Sequence, residues 1–131
     1  MIVDSSALIA IVRREDGHER YVRSLATTHG TCISASTLLE ARIVAQRTGI
    51  DSAEQDVIEL VEDNNVEIVP FSENQQTLAA DAHRSFGRGS GHPARLNFGD
   101  CFAYALAKER GEPLLFKGND FARTDIVSAL S

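Results

Sequence analysis

Residues 1–10, MIVDSSALIA, carry a short apolar strand into an aspartate and then into an apolar helix. Asp4 admits two readings. It caps the helix that follows, where a carboxylate satisfies free backbone N–H groups. Or it ends a central parallel strand, at the edge where open α/β sheets bind their ligands. The choice depends on whether the rest of the chain supplies partners for it.

The pattern repeats along the sequence. MIVD, TCIS (31–34), VEIVPF (66–71) and PLLF (113–116) read as strands, and TDIVSAL (124–130) as a last short one. Helices are expected over SALIAIVRRE, over GHERYVRSLATTHG ending at Gly30, and over STLLEARIVAQRTG stopping at Gly49. Others are expected over DSAEQDVIELVEDNN, SENQQTLAADAHRSFG and GDCFAYALAKERG. Short apolar strands alternating with helices predict an α/β fold, a parallel sheet covered on both faces. Nothing divides the chain, so residues 1–131 are expected to form one domain.

Composition narrows the function classes. Apolar residues make up 43% of the chain, and no run approaches a membrane span. The first strand begins at residue 2 with no leader before it, which predicts a cytoplasmic protein. Cys32 and Cys101 form no CxxC pair and read as small buried hydrophobes, and the histidines lack zinc spacing. A net charge of −6 argues against broad nucleic-acid binding through overall charge; it allows a local basic patch. There is no Walker A loop, no GxGxxG and no GxSxG elbow.

Four acids fall at strand ends or in the helices just beyond them: Asp4, Glu40, Asp100 and Asp120. Each has a local explanation. Asp100 reads as an N-cap, Glu40 as the partner of Thr37 in a capping box, and Asp120 as a turn residue. Glu40 strains its local explanation. Ile43 and Val44, one helical turn on, are apolar, which places Glu40 toward the buried side. Buried carboxylates must be paired or bound to metal. Several in one cleft repel one another unless a cation neutralises them. Oxygen ligands without His or Cys select Mg²⁺ or Mn²⁺ over zinc, and the chemistry that follows is metal-assisted hydrolysis.

In these segments the chain resembles the PIN domain ribonucleases, and among them the VapC-type toxins of bacterial toxin–antitoxin pairs. MIVDSSALIA is similar to that family's opening, with Asp4 and the hydroxyl of Ser6. STLLEA is similar to the segment carrying Glu40, LNFGDCFAYALA to that carrying Asp100, and PLLFKGNDFARTDI to that carrying Asp120. The resemblance implies a PIN-like three-layer α/β/α sandwich with a parallel sheet of about five strands in order 3-2-1-4-5. It implies Mg²⁺- or Mn²⁺-dependent cleavage of RNA by water, leaving a 3′-hydroxyl and a 5′-phosphate. Asp4, Glu40, Asp100 and Asp120 would be metal ligands, and Ser6 would orient the metal shell or cap the helix. It also implies a homodimer and a small VapB-type antitoxin. One departure is the turn Lys117-Gly118-Asn119, where many relatives carry a further acid or hydroxyl; it is consistent with Asp120 binding through water.

An acidic pocket repels phosphate, so something basic must offset it. Residues 83–99, HRSFGRGSGHPARLNFG, contain no acid and carry Arg84, Arg88 and Arg95 among flexible glycines. With Lys117 and Arg123 beside Asp120, this loop is expected to guide RNA. The other reading is a mobile loop with solvating charges. The acids of DSAEQDVIELVEDNN read as a solvated helix face. Tyr21, Val22 and Leu25 read either as core or, with Leu8 and Val12, as an antitoxin groove. Two other functions compete with the toxin reading: a PIN-fold nuclease of RNA maturation, RNA decay or DNA, and a non-catalytic binding module. A pure binder has no need of a repelling acid cluster.

Overall fold

The structure, a computed structural model, describes residues 1–130. Its strands are β1 (Ile2–Val3), β2 (Cys32–Ser34), β3 (Glu67–Val69) and β4 (Leu114–Leu115). All pair in parallel, in the order β3-β2-β1-β4. The helices are α1 (Ser5–Val12), α2 (His18–Thr27), α3 (Ala35–Gln46), α4 (Ala53–Asp63), α5 (Glu73–Phe86) and α6 (Phe98–Arg110). A 3₁₀ turn covers Phe121–Arg123.

The period of two along each strand builds two cores. Val3, Ile33 and Leu115 face one side, against Leu8, Tyr21, Leu25, Ala41 and Val57 of α1 to α4. Ile2, Cys32 and Leu114 face the other, against Ala82 of α5 and Ala103, Leu106 and Ala107 of α6. The expected α/β/α layering follows, because neither face of the sheet can meet water.

The expected order 3-2-1-4-5 holds for four strands. The fifth position, beside β4, is filled by a single parallel bridge from Leu114 to Ser128. Leu114 N donates to Val127 O and Ala129 N donates to Leu114 O, both at 2.9 Å. Val127 is exposed, so TDIVSAL has no continuous apolar face to lay on the sheet. α2 and α3 stop at Thr27 and Gln46, short of the expected ends at Gly30 and Gly49. At Thr28 the backbone is already extended, as suits a β-branched pair.

This order creates the functional crevice. The chain winds outward from β1 through β2 to β3, then returns across the sheet to β4 on the other side of β1. β1 is the point where the winding reverses, and an open sheet leaves a crevice there beyond its carboxyl ends. Asp4 N donates to Leu115 O at 2.9 Å, so Asp4 stands at the mouth of that crevice.

Candidate active site

Both readings of Asp4 are correct, one for each oxygen. Its Oδ2 accepts from Ser6 N at 3.0 Å and from Ser6 Oγ at 2.6 Å, capping α1. Its Oδ1 is buried and has no hydrogen-bond partner. A buried carboxylate oxygen left unmatched is costly and calls for a ligand. Burial, with a contribution from the charge of Glu40, pushes the Asp4 carboxyl up to about 6 against the pull of the Ser6 hydrogen bonds.

Asp100 arrives from α6. It had been expected at the N-cap, but the cap is Asn97 and Asp100 sits one turn in, closing a capping box. Asn97 N donates to Asp100 Oδ2 at 2.9 Å, and Asp100 N donates to Asn97 Oδ1 at 2.8 Å. Here too one oxygen serves the helix. Burial pushes the Asp100 carboxyl up to about 7. The Asn97 N–H opposes the rise, and the charges of Asp4, Asp120 and Glu40 add to it.

Glu40 reaches the same cleft from α3, by a route other than the one its sequence neighbours implied. Ile43 and Val44 are 39% and 38% exposed, so this stripe of α3 does not enter the core. Nor does Glu40 close a capping box with Thr37. Ser34 caps α3, accepting from Ser36 N at 3.2 Å, and Thr37 is buried with its hydroxyl unpartnered. Glu40 Oε1 instead accepts from Ser5 Oγ at 2.8 Å. Sequence reading missed Ser5; its place beside Asp4 was the only available signal.

Asp120 stands exposed before the 3₁₀ turn, with no capping hydrogen bond. Ser6 joins the two sides of the crevice. Its Oγ donates to Asp4 and accepts from Lys117 N at 2.9 Å. The hydroxyl thus links Asp4 to the backbone after β4, and the helix cap is made by Asp4.

Asp4, Glu40, Asp100 and Asp120 line one cleft of about 230 Å³ with Ser5, Ser6, Asn97 and Lys117. A larger concavity of about 470 Å³ lies among α1, α2 and α4, but it gathers no convergent, buried carboxylates, so chemistry rather than size assigns the site. Among the described residues, none of the four acids is paired with a cation. Nor do any three Asp, Glu, His or Cys side chains among them form a ready-made coordination cage.

The expected basic residues lie apart from this cleft. Arg84 pairs with Asp81 at 2.6 Å on α5. Arg88 and Arg95 are exposed and have no salt-bridge partner among the described residues. Lys117 does line the cleft, but its ammonium is 2.6 Å from Glu15. The loop backbone is anchored at its two ends. Gly87 bridges Leu96, Arg88 N donates to Leu96 O at 2.9 Å, and His92 packs edge-on against Phe86 at 4.9 Å. A Cβ on Gly87 would stand 2.4 Å from the His83 carbonyl oxygen, so this glycine serves close approach. Tyr21, Leu25 and Leu8 are core, Val12 is half-buried against that core, and Val22 is exposed. Among the described residues no helix is long and apolar enough to cross a membrane.

Comparison with known proteins agrees with the fold. The PIN domain family matches residues 1–127. Ribonuclease VapC28 of Mycobacterium tuberculosis is 50% identical over 132 residues, covering 99% of this chain and 98% of its own. Ribonuclease VapC42 of the same species is 43% identical, covering 98% of each. Among solved structures, Mycobacterium tuberculosis VapC20, described as a sarcin–ricin loop cleaving toxin, has a TM-score of 0.77 at 18% identity, over 98% of this chain and 97% of that one. A toxin–antitoxin complex from Klebsiella pneumoniae gives 0.72 at 18% identity, over 99% and 97%. This chain belongs to the PIN domain family, within its VapC ribonuclease branch.

Proposed function

We propose that this chain is the toxin of a type II toxin–antitoxin pair, a Mg²⁺- or Mn²⁺-dependent endoribonuclease that cleaves RNA phosphodiester bonds with water. The observation that carries the reading is Asp4 Oδ1, a buried carboxylate oxygen without a partner, at the head of a four-acid cleft. The donor set fits a hard divalent cation: all oxygen, no His or Cys, and two carboxyls pushed up by burial and mutual repulsion.

Asp4 and Asp100 would hold the ion, with Glu40 beside them and Asp120 acting through water. When bound, the ion would supply an activated water and charge stabilisation for the phosphoryl transition state. The chain does the remaining work. Ser6 orients Asp4 and ties it to the Lys117 backbone. Lys117 stands where a phosphate would approach. Arg88 and Arg95 would steer RNA from the loop before α6, with Arg84 behind them. Such a substrate places the protein in the cytoplasm.

A small VapB-type antitoxin is the expected partner. The groove among α1, α2 and α4 has an apolar floor of Ile11, Val12, Val22 and Leu60; α4 lines it with Asp56, Glu59 and Asp63, against Arg14 and His18 on the opposite side. That chemistry suits an amphipathic helix with basic residues. The acids of α4 thus do more than solvate a face in this reading. Leu39, Ile43 and Phe98 form an exposed apolar strip that supports a homodimer.

The test is cleavage of total cellular RNA by purified, antitoxin-free protein, with Mg²⁺ or Mn²⁺ against EDTA. Discrete fragments that require metal and both Asp4 and Asp100 are expected. No fragments from folded, metal-loaded protein would overturn the nuclease reading and favour a binding module.

A further inference from the structure

Glu40 is the acid of the cleft that enters on the longest side chain. A carboxylate on three rotatable bonds does not hold one position unless its surroundings select it. Two contacts do so. Ser5 Oγ donates to Glu40 Oε1 at 2.8 Å. On the facing turn of α6, the missing side chain of Gly99 makes room for the other oxygen. A Cβ on Gly99 would lie 1.7 Å from Glu40 Oε2 and 2.5 Å from its Cδ.

Neither residue has a local reason to be what it is. α1 is already capped by Asp4, so the hydroxyl of Ser5 is not needed for that purpose. Gly99 lies inside the first turn of α6 with no positive φ, where glycine is a poor helix former. The space taken by Glu40 explains the glycine.

We infer that Ser5 and Gly99 are positioning residues for Glu40, one tethering Oε1 and the other admitting Oε2. Each is the chain neighbour of another acid of the cleft: Ser5 follows Asp4, and Gly99 precedes Asp100. The two segments that deliver Asp4 and Asp100 therefore also place the third carboxylate, and the cleft assembles as a unit. The placement stands on geometry alone; its consequence for metal rests on the proposed function.

The test uses the full chain and the variants Ser5→Ala, Ser5→Thr and Gly99→Ala, each shown to be folded. Crystal structures without metal read the position of Glu40, and calorimetric titration with Mn²⁺ reads the effect. Ser5→Ala and Gly99→Ala are expected to displace the carboxylate and weaken Mn²⁺ roughly 10-fold, as loss of a ligand-orienting contact does. Ser5→Thr keeps the hydroxyl and should keep both. In a Glu40→Ala background, Ser5→Ala should add no further loss. Glu40 unmoved in Ser5→Ala and Gly99→Ala would overturn the inference, as would an undiminished Ser5→Ala loss in the Glu40→Ala background. Glu40 displaced with Mn²⁺ binding unchanged would support the positioning and overturn only Glu40's part in holding metal.

Discussion

The acid cleft and the arginine loop meet at Asn97, just before Asp100, and they are built on opposite terms. In the cleft, the carboxylates of Asp4, Glu40 and Asp100 each accept a hydrogen bond that fixes the side chain. The loop has an equally well-tied backbone, through Gly87, Leu96 and Ser90. Its arginine side chains are nevertheless exposed, and only Arg84 has a salt-bridge partner among the described residues. Groups that are buried and oriented can perform chemistry, because their solvation has already been exchanged for fixed partners. Groups that are exposed and mobile can attract and guide, at little cost and with little precision. Substitutions in the cleft should therefore act on rate and metal, and those in the loop on affinity and salt dependence.

The largest effect is expected from Asp4→Asn or Asp100→Asn. Both keep size and an acceptor oxygen for the helix cap, and both remove a charge from the cleft. RNA cleavage at saturating Mg²⁺ should fall by roughly 100-fold or more, beyond the range for groups that merely orient a ligand. Single-turnover kinetics on a cleaved fragment would read it. A loss under threefold in either variant would dissolve the distinction between the two regions.

Metal-free stability gives the next contrast. Asp4 and Asp100 have folded-state carboxyls at about 6 and about 7, against an ordinary value of 3.8. Between those limits the folded chain holds protons that the unfolded chain has released. The contribution is therefore fully present below about pH 4 and is lost as pH rises through 6 to 7. The sum is on the order of a few kcal/mol, discounted because Asp100 is partly open to solvent. In EDTA, Tm should fall between pH 5 and 8, and Asp100→Asn should flatten the fall. Mn²⁺ should raise Tm more at pH 8 than at pH 5, because it binds the ionised acids. Loop variants should leave this profile unchanged.

Ser6→Ala tests the link between the two sides of the crevice. It removes the bond to Asp4 Oδ2 and the acceptor for Lys117 N, but leaves the cap from Asp4 to Ser6 N. A loss of roughly 10-fold in cleavage is expected, with metal affinity weakened in parallel. An unchanged Mn²⁺ affinity would confine Ser6 to the backbone of the loop after β4.

The contrast also explains what could be read from sequence. Asp4, Asp100 and Asp120 were legible because chain order alone carries them to strand ends and helix starts, and parallel strands point those ends the same way. Strand order was legible for four strands. The fifth was not, because TDIVSAL can supply only one bridge and an exposed Val127. Glu40 was identified for the wrong reason. Ile43 and Val44 look like a buried stripe in sequence, but α3 turns that stripe toward an open apolar face shared with Phe98. Periodicity reports which residues share a face and is silent on what covers it. Ser5 and Gly99 offered only their places beside Asp4 and Asp100, since their reason lies in contact with Glu40 on α3. Of the loop glycines only Gly87 is closely packed; Gly89 and Gly91 stand in open space at positive φ, where glycine serves the turn.

The smallest effects should come from the loop, and their order sharpens the comparison. Arg88→Ala and Arg95→Ala together remove two exposed charges without a salt-bridge partner among the described residues. If both meet phosphate, KM for RNA should rise several-fold at low salt, and the salt slope of binding should shrink by roughly 0.7 per arginine. kcat and Mn²⁺ affinity should not change. Arg84→Ala should do less than either, because Asp81 at 2.6 Å already offsets its charge, and the exposed pair contributes little to stability. Cleavage measured from 50 to 200 mM salt separates these outcomes. An equal fall in kcat would bring the arginines into the chemistry of the cleft. An unchanged slope would leave them as solvating charges and give the steering role to Lys117, whose ammonium must then leave Glu15 when RNA binds.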